Sequence, residues 1–201
     1  ISNSYATGNV AGDSYVGGLV GYNYNNSVSD SYATGNIAGS NYVGGLVGNN
    51  YYGTVSNSHA TGSVTGNDYV GGLVGKNEHD DGVNITDAYA SGIVQGNSYV
   101  GGLVGYNYYA QIERSYATGD VTGTGASIGG LIGYNNYSIS DVYATGNVNV
   151  DGYASNVGGL VGYNNGSIGN AYATGSVNSY YDGSYGDYVG GLVGYNTDSI
   201  S

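Results

Sequence analysis

The stretch Tyr15-Val16-Gly17-Gly18-Leu19-Val20-Gly21-Tyr22-Asn23 decides the fold, because the chain repeats it. It returns six more times, centred on Leu46, Leu73, Leu103, Leu131, Leu160 and Leu192. A second phrase, Ser4-Tyr5-Ala6-Thr7-Gly8, precedes each copy and returns with its glycine at Gly35, Gly62, Gly92, Gly119, Gly146 and Gly175. Aligned on the leucine, the units are 27, 27, 30, 28, 29 and 32 residues apart; aligned on the glycine, 27, 27, 30, 27, 27 and 29. The extra residues fall at two points. One follows the Asn that closes the leucine phrase, as in Glu78-His79-Asp80-Asp81-Gly82; the other lies between the phrases, as in residues 178–187. Insertions confined to fixed points mark the surface loops of a repeat array.

No stretch carries a 3.6-residue apolar stripe, and Gly recurs every few residues, so helix is excluded. Short runs of Val, Ile, Tyr and Thr bounded by Gly, Asn, Asp and Ser read as strands and turns. The expected fold is an all-β solenoid of about seven coils of 27–32 residues, occupying residues 1–201 as a single array. Coils stacked about 4.8 Å apart give a length of roughly 34 Å. The chain starts and stops within a repeat, which reads as a fragment of a longer array or as a filament subunit.

Stacking turns equivalent residues into ladders. The seven central leucines form one (Leu19, Leu46, Leu73, Leu103, Leu131, Leu160 and Leu192). Aliphatic ladders also start at Val10, Val16, Val20 and Val28, with Ala6 and its equivalents filling narrow places. The leucine phrase has an awkward parity. In a flat strand Val16 and Val20 face one way and Leu19 the other. Either Gly17-Gly18 makes a corner that turns Val16 and Leu19 inward together, or both faces are covered by another layer or subunit; the corner is the favoured reading. Asn23, Asn50, Asn77, Asn107, Asn135, Asn164 and Asn196 follow the leucine by four residues in every unit. They are expected at a turn, each amide bonding the next coil or capping local backbone. Tyr recurs at three ladder positions, near Tyr5, Tyr15 and Tyr22.

Composition narrows the function. The chain has 41 Gly and 26 Tyr among 201 residues, with no Pro, Cys, Met, Trp or Phe. Lys76 and Arg114 stand against 14 acidic residues, a formal charge of −12. Nucleic acid and anionic membranes are excluded as partners, since both need clustered cations. No run approaches a transmembrane length.

The recurring Gly-Gly-Leu-Val-Gly core with Tyr-Ala-Thr-Gly upstream resembles the GLUG repeat over essentially all 201 residues. The resemblance implies a stalk-like element in large bacterial or archaeal surface proteins, among them immunoglobulin A peptidases and filamentous adhesins. It does not carry over peptidase activity. That chemistry uses a His-Glu-x-x-His zinc motif, and Glu78-His79-Asp80-Asp81 is not one.

Three surface features compete for a function. Glu78, Asp80 and Asp81 beside His79 are the densest set of oxygen ligands and the calcium candidates, against a solvated acidic loop. Asp13, Asp68 and Asp187 read as turn residues, with calcium the lesser reading. The Thr7 ladder suggests an ice-binding face one row wide. Exposed Tyr22, Tyr106, Tyr134, Tyr163 and Tyr195 offer a surface for glycans or other cell-surface proteins, against simple ring packing. His59 stands where the other units have Tyr, a tolerated aromatic replacement. A non-enzymatic, cofactor-free extracellular structural protein is therefore expected. It forms a fibre, sheath or stalk at a microbial cell surface and associates with its own copies through solenoid ends or faces.

Overall fold

The computed structural model describes residues 1–80, 82–180 and 188–201. Asp81, Asp187 and the rest of the insertion at 181–187 lie outside the described residues. The first coil contains five short strands: β1 (Tyr5–Ala6), β2 (Val10–Ala11), β3 (Ser14–Gly17), β4 (Val20–Tyr24) and β5 (Ser27–Ser29). Each pairs in parallel with its equivalent one coil on, placing Tyr5 beside Tyr32, Val10 beside Ile37, Val16 beside Val43, Val20 beside Val47 and Val28 beside Val55. The protein is a parallel β-solenoid without helix among the described residues. The rows begun by β2, β3 and β4 are seven-stranded sheets. The rows begun by β1 and β5 join into one eleven-stranded sheet, because Ile139–Ala144 and Ile168–Ala173 are each a single strand serving both.

The interior is two columns. One is built from the Leu19, Val20, Val28 and Ala6 rows, and the other from the Val10 and Val16 rows. The chain bends at Gly18-Leu19 between β3 and β4. The corner is present, but it does not turn Val16 and Leu19 inward together: Val16 enters one column while Leu19 and Val20 enter the other. Both faces are covered from within the same chain, and in the inner coils Val47, Val74, Val104, Ile132 and Val161 are fully buried. The wall between the columns is the second glycine of the corner. A Cβ on Gly18 would meet Ala33 Cβ at 2.7 Å on one side and Ile37 Cδ1 at 3.2 Å on the other. No side chain fits there, so the repeat keeps glycine at that position.

Each coil also turns through left-handed backbone. Asn3, Asp30, Asn57, Asp87, Arg114, Asp141 and Asn170 occupy one corner with φ of 45–54°. Asn and Asp tolerate this region by bonding their own backbone, which explains six of the seven. Tyr15, Tyr42, Tyr69 and Tyr99 occupy a second corner with φ of 54–57°, and Asn25, Tyr52 and Tyr109 a third with φ of 51–56°. A left-handed tyrosine costs about 1–2 kcal/mol of backbone energy, which its ring must offset elsewhere.

Candidate functional site

Asn23 lies in β4 near its end, with its side chain buried rather than at an exposed turn. Its Nδ2 donates to Asn50 Oδ1 at 2.7 Å, and the relay continues from Asn50 to Asn77 (2.8 Å), Asn107 (2.9 Å), Asn135 (2.9 Å), Asn164 (2.8 Å) and Asn196 (2.7 Å). The same Nδ2 groups also bond a local carbonyl, as at Asn26, Gly53 and Ala110. Each amide therefore bonds the next coil and caps its own loop. Sequence reasoning missed a second buried relay. Ser31, Ser58 and Ser115 donate to the carbonyls of Ser29, Ser56 and Glu113 at 2.7 Å and accept the N–H of Ser4, Ser31 and Ala88 from the preceding coil. The first residue of Ser4-Tyr5-Ala6-Thr7-Gly8 was the available signal.

The tyrosines lie in the rows that the alignment gives, but the rows differ in continuity. Tyr5, Tyr32, His59, Tyr89, Tyr116, Tyr143 and Tyr172 form one uninterrupted stack, with centroids 4.6–5.2 Å apart and planes within 8°. The Tyr22 row is broken. Asn49 and Lys76 separate Tyr22 from Tyr106, and stacking runs only from Tyr106 through Tyr134 and Tyr163 to Tyr195 at 4.5–5.1 Å. The neighbouring corner row does the opposite. Tyr15, Tyr42, Tyr69 and Tyr99 stack at 4.8–5.1 Å, and then Ser127 takes the place. The two partial stacks overlap in the fourth coil, where Tyr106 meets Tyr69 and Tyr99 edge-to-face at 5.6 and 5.4 Å. One aromatic strip therefore runs the length of the described coils by changing rows. Burial, followed by the neighbouring phenols, holds the Tyr106 hydroxyl above its ordinary value.

Within such stacks each ring lies parallel against the next, so solvent sees edges and hydroxyls rather than faces. Tyr52 is different. It takes a left-handed corner where Asn25 stands one coil earlier, and its ring neighbours Tyr51 and His79 meet it at 80° and 64°. Tyr24, Asn25, Tyr52, His79 and Asp80 line a hollow of about 280 Å³ at this corner. The Tyr52 hydroxyl is hydrogen-bonded to Tyr51 and Asp80, which together push its pKa up.

The acidic residues are spaced apart along the axis. Down the first corner Asn3, Asp30, Asn57, Asp87, Arg114, Asp141 and Asn170 alternate acid with donor. Asn57 donates to Asp30 at 3.3 Å, Arg114 to Asp87 at 2.9 Å, and Asn170 to Asp141. The Arg114 guanidinium holds the Asp87 carboxyl below the usual carboxylate range. Of the calcium candidates, Glu78 is paired with Lys76 at 2.5 Å and Asp80 lines the corner hollow. Among the described residues no three His, Asp or Glu gather as a metal-holding group. Asp68 opens a strand, Asp68–Gly71, rather than sitting in a turn. The Thr7 row is exposed throughout, but the next outward row mixes Asn9, Asn36, Ser63, Ile93, Asp120, Asn147 and Ser176. The hydroxyl face is accordingly one residue wide.

The family model for the GLUG motif matches residues 12–38, 39–65, 96–122, 124–149 and 153–178, more than half of the chain. The chain belongs to the GLUG-repeat family. No curated protein and no solved structure matches it. In GLUG terms each matched segment is one coil, starting just before the Val16 strand and ending within or at the end of the following Val10 strand. The coil at 66–95 lies outside the matched ranges, yet its strands keep the same register, with Val70 beside Val43 and Val100. This GLUG coil also carries Lys76 and the insertion that places Asp80 at the corner hollow.

His59 gives the GLUG array one titrating ring in its longest stack. It lies 5.1 Å from Tyr32 and 4.6 Å from Tyr89, nearly parallel to both, and burial holds its pKa below the ordinary value. The unfolded chain therefore takes up the proton first. The contribution of this site is complete above the unfolded value of about 6.5 and is lost as pH falls from there through the lower folded value. His59→Tyr is expected to melt higher than the parent, with the gap wider at pH 5 than at pH 7.5. Melts of both proteins at both values, followed by circular dichroism, check this, and a gap independent of pH contradicts it.

Proposed function

We propose that this GLUG-repeat chain is a non-enzymatic structural spacer, a stalk segment on the outside of a microbial cell. The observation that carries the reading is the direction of bonding. All five strand rows and the buried Asn relay connect each coil to the next along the axis. Cohesion in this chain is spent on length rather than on enclosing a cleft. The family and the Tyr- and Asn-rich, cation-poor composition support an extracellular place. No helix is long and apolar enough to cross a membrane. Self-association through the leucine phrase loses its support, because the Val20 row packs inside the chain. Glycan adhesion through the stacked tyrosine rows loses support as well, because stacking occupies their faces. Alternation of acids with donors supports a fold that needs no calcium, since no corner acid faces another across the coil spacing.

Pulling a single molecule by its two ends tests this reading. Tension along the axis loads the terminal coil first, so the array is expected to lengthen coil by coil. Each step releases 27–32 residues, about 90–110 Å of chain at roughly 3.5 Å per residue. The steps are expected at equal force in calcium and in chelator. Release of the whole array in one event would sink the spacer reading, and steps that weaken in chelator would sink calcium independence.

A further inference from the structure

We propose that the corner hollow formed by Tyr24, Asn25, Tyr52, His79 and Asp80 is a binding site for one neutral sugar unit of a glycan. This goes beyond the spacer reading and does not depend on it. Sugar recognition needs a free aromatic face for the apolar C–H side of the ring, with nearby donors and acceptors for its hydroxyls. The stacked rows lack the first requirement. In the seven-ring stack, and between Tyr106 and Tyr195, each interior ring is covered on both faces by parallel neighbours about 5 Å away. Tyr52 escapes this. The position above it in the corner row is Asn25, too short to cover a ring, and its ring neighbours, Tyr51 at 80° and His79 at 64°, meet it edge-on rather than in parallel. Tyr24, 59% exposed, stacks on Tyr51 and forms the second apolar wall.

The polar groups suit hydroxyls. Asn25 offers both a donor and an acceptor, and the Asp80 carboxylate accepts strongly while tied to the Tyr52 hydroxyl. The hollow reaches across three coils, about 10 Å along the axis from Asn25 to His79. Its volume of about 280 Å³ accommodates a single pyranose. The charge of −12 disfavours sulfated, phosphorylated or sialylated units and leaves the neutral sugars. Tyr109, at the same left-handed corner two coils on, also lacks a parallel neighbour, meeting Tyr108 at 76° and Tyr137 at 58°, so what sets Tyr52 apart is Asp80 beside its hydroxyl.

Saturation-transfer NMR of the whole chain with methyl glycosides of glucose, galactose, mannose and N-acetylglucosamine, and with choline, tests the proposal. Transfer to the ring protons of at least one glycoside is expected. Tyr52→Ala and Asp80→Ala are each expected to weaken binding about tenfold or more, while Tyr134→Ala in the stacked strip leaves it unchanged. Circular dichroism melts verify that each variant is folded, and Asp80→Ala carries the test alone if Tyr52→Ala is not. No transfer to any glycoside overturns the proposal, as does choline binding alone, which would mark a cation site. Sugar binding lost in Tyr134→Ala but kept in Tyr52→Ala also overturns it and restores adhesion through the stacked rows. The pulling experiment is blind to all of these outcomes, so failure here leaves the spacer reading standing.

Discussion

Leu103→Ala is expected to lower the unfolding free energy by about 3–4 kcal/mol, among the largest losses available to a single truncation in this chain. Leu103 is fully buried in the fourth coil. Its neighbours in the row are Leu73 and Leu131, whose backbone is tied to its own by hydrogen bonds of 2.9 and 2.8 Å. Those bonds fix the coil spacing, so the rungs above and below cannot close over the missing isobutyl group. The cavity therefore persists, and its cost adds to the lost transfer energy. Leu19→Ala is the internal comparison. The same residue in the first coil is only half-buried, so its truncation removes less buried surface and is expected to cost clearly less. Urea unfolding followed by circular dichroism measures both. Because each coil touches only its neighbours, Leu103→Ala is also expected to split the transition, with the coils on either side unfolding separately. Equal losses at the two positions would mean that the column is not a nearest-neighbour stack.

Much of this architecture is legible in the sequence, for a reason particular to solenoids. A parallel stack pairs each residue with its own equivalent, so aligning the repeats is the same operation as writing the register. The Leu19, Val16, Val20, Val10 and Val28 ladders and the Asn23 relay follow from that alone. Alignment does not show how rows sit around the coil. That Val16 and Leu19 enter separate columns depends on the bend at Gly18-Leu19. That bend is a three-dimensional property of two glycines whose only sequence trace is a parity conflict. The tyrosine strip failed to appear for the same reason. Tyr99 giving way to Ser127, and Lys76 giving way to Tyr106, are visible as separate breaks. Only the fold brings the two rows edge-to-face so that one continues the other. The corner hollow is further from reach. It draws on three coils and an insertion, and its distinguishing feature is Asp80, carried by that insertion to the Tyr52 corner.

Asn77→Asp isolates the chemistry of the buried amide relay from its shape. The two side chains are nearly isosteric, so no cavity forms and the packing argument that governs Leu103 does not apply. Asn77 accepts from Asn50 Nδ2 at 2.8 Å and donates to Asn107 Oδ1 at 2.9 Å, with no solvent exposure. A carboxylate keeps the first bond and turns the second into two oxygens facing each other, with a charge added in a site that holds no cation. The expected loss at neutral pH is about 3–5 kcal/mol, the cost of an unpaired buried charge. The substituted carboxyl is expected to have a raised pKa in the folded chain, since burial disfavours its charged form. The folded state then holds the proton at pH values where the unfolded state has released it. Stability is therefore fully recovered only below the unfolded value of about 3.9, and is lost as pH rises through the folded one. The protonated carboxyl restores the missing donor to Asn107, so the rescue comes from the same bond whose loss caused the damage. Measured as a difference from the parent chain, the Asn77→Asp penalty should shrink steadily as pH falls from 7 towards 4. Asn77→Ala, which has no proton to regain, should show a penalty that does not change with pH. If the two variants follow the same pH course, the relay contributes through packing, and the donor-to-acceptor order along its seven amides is not what holds the coils together.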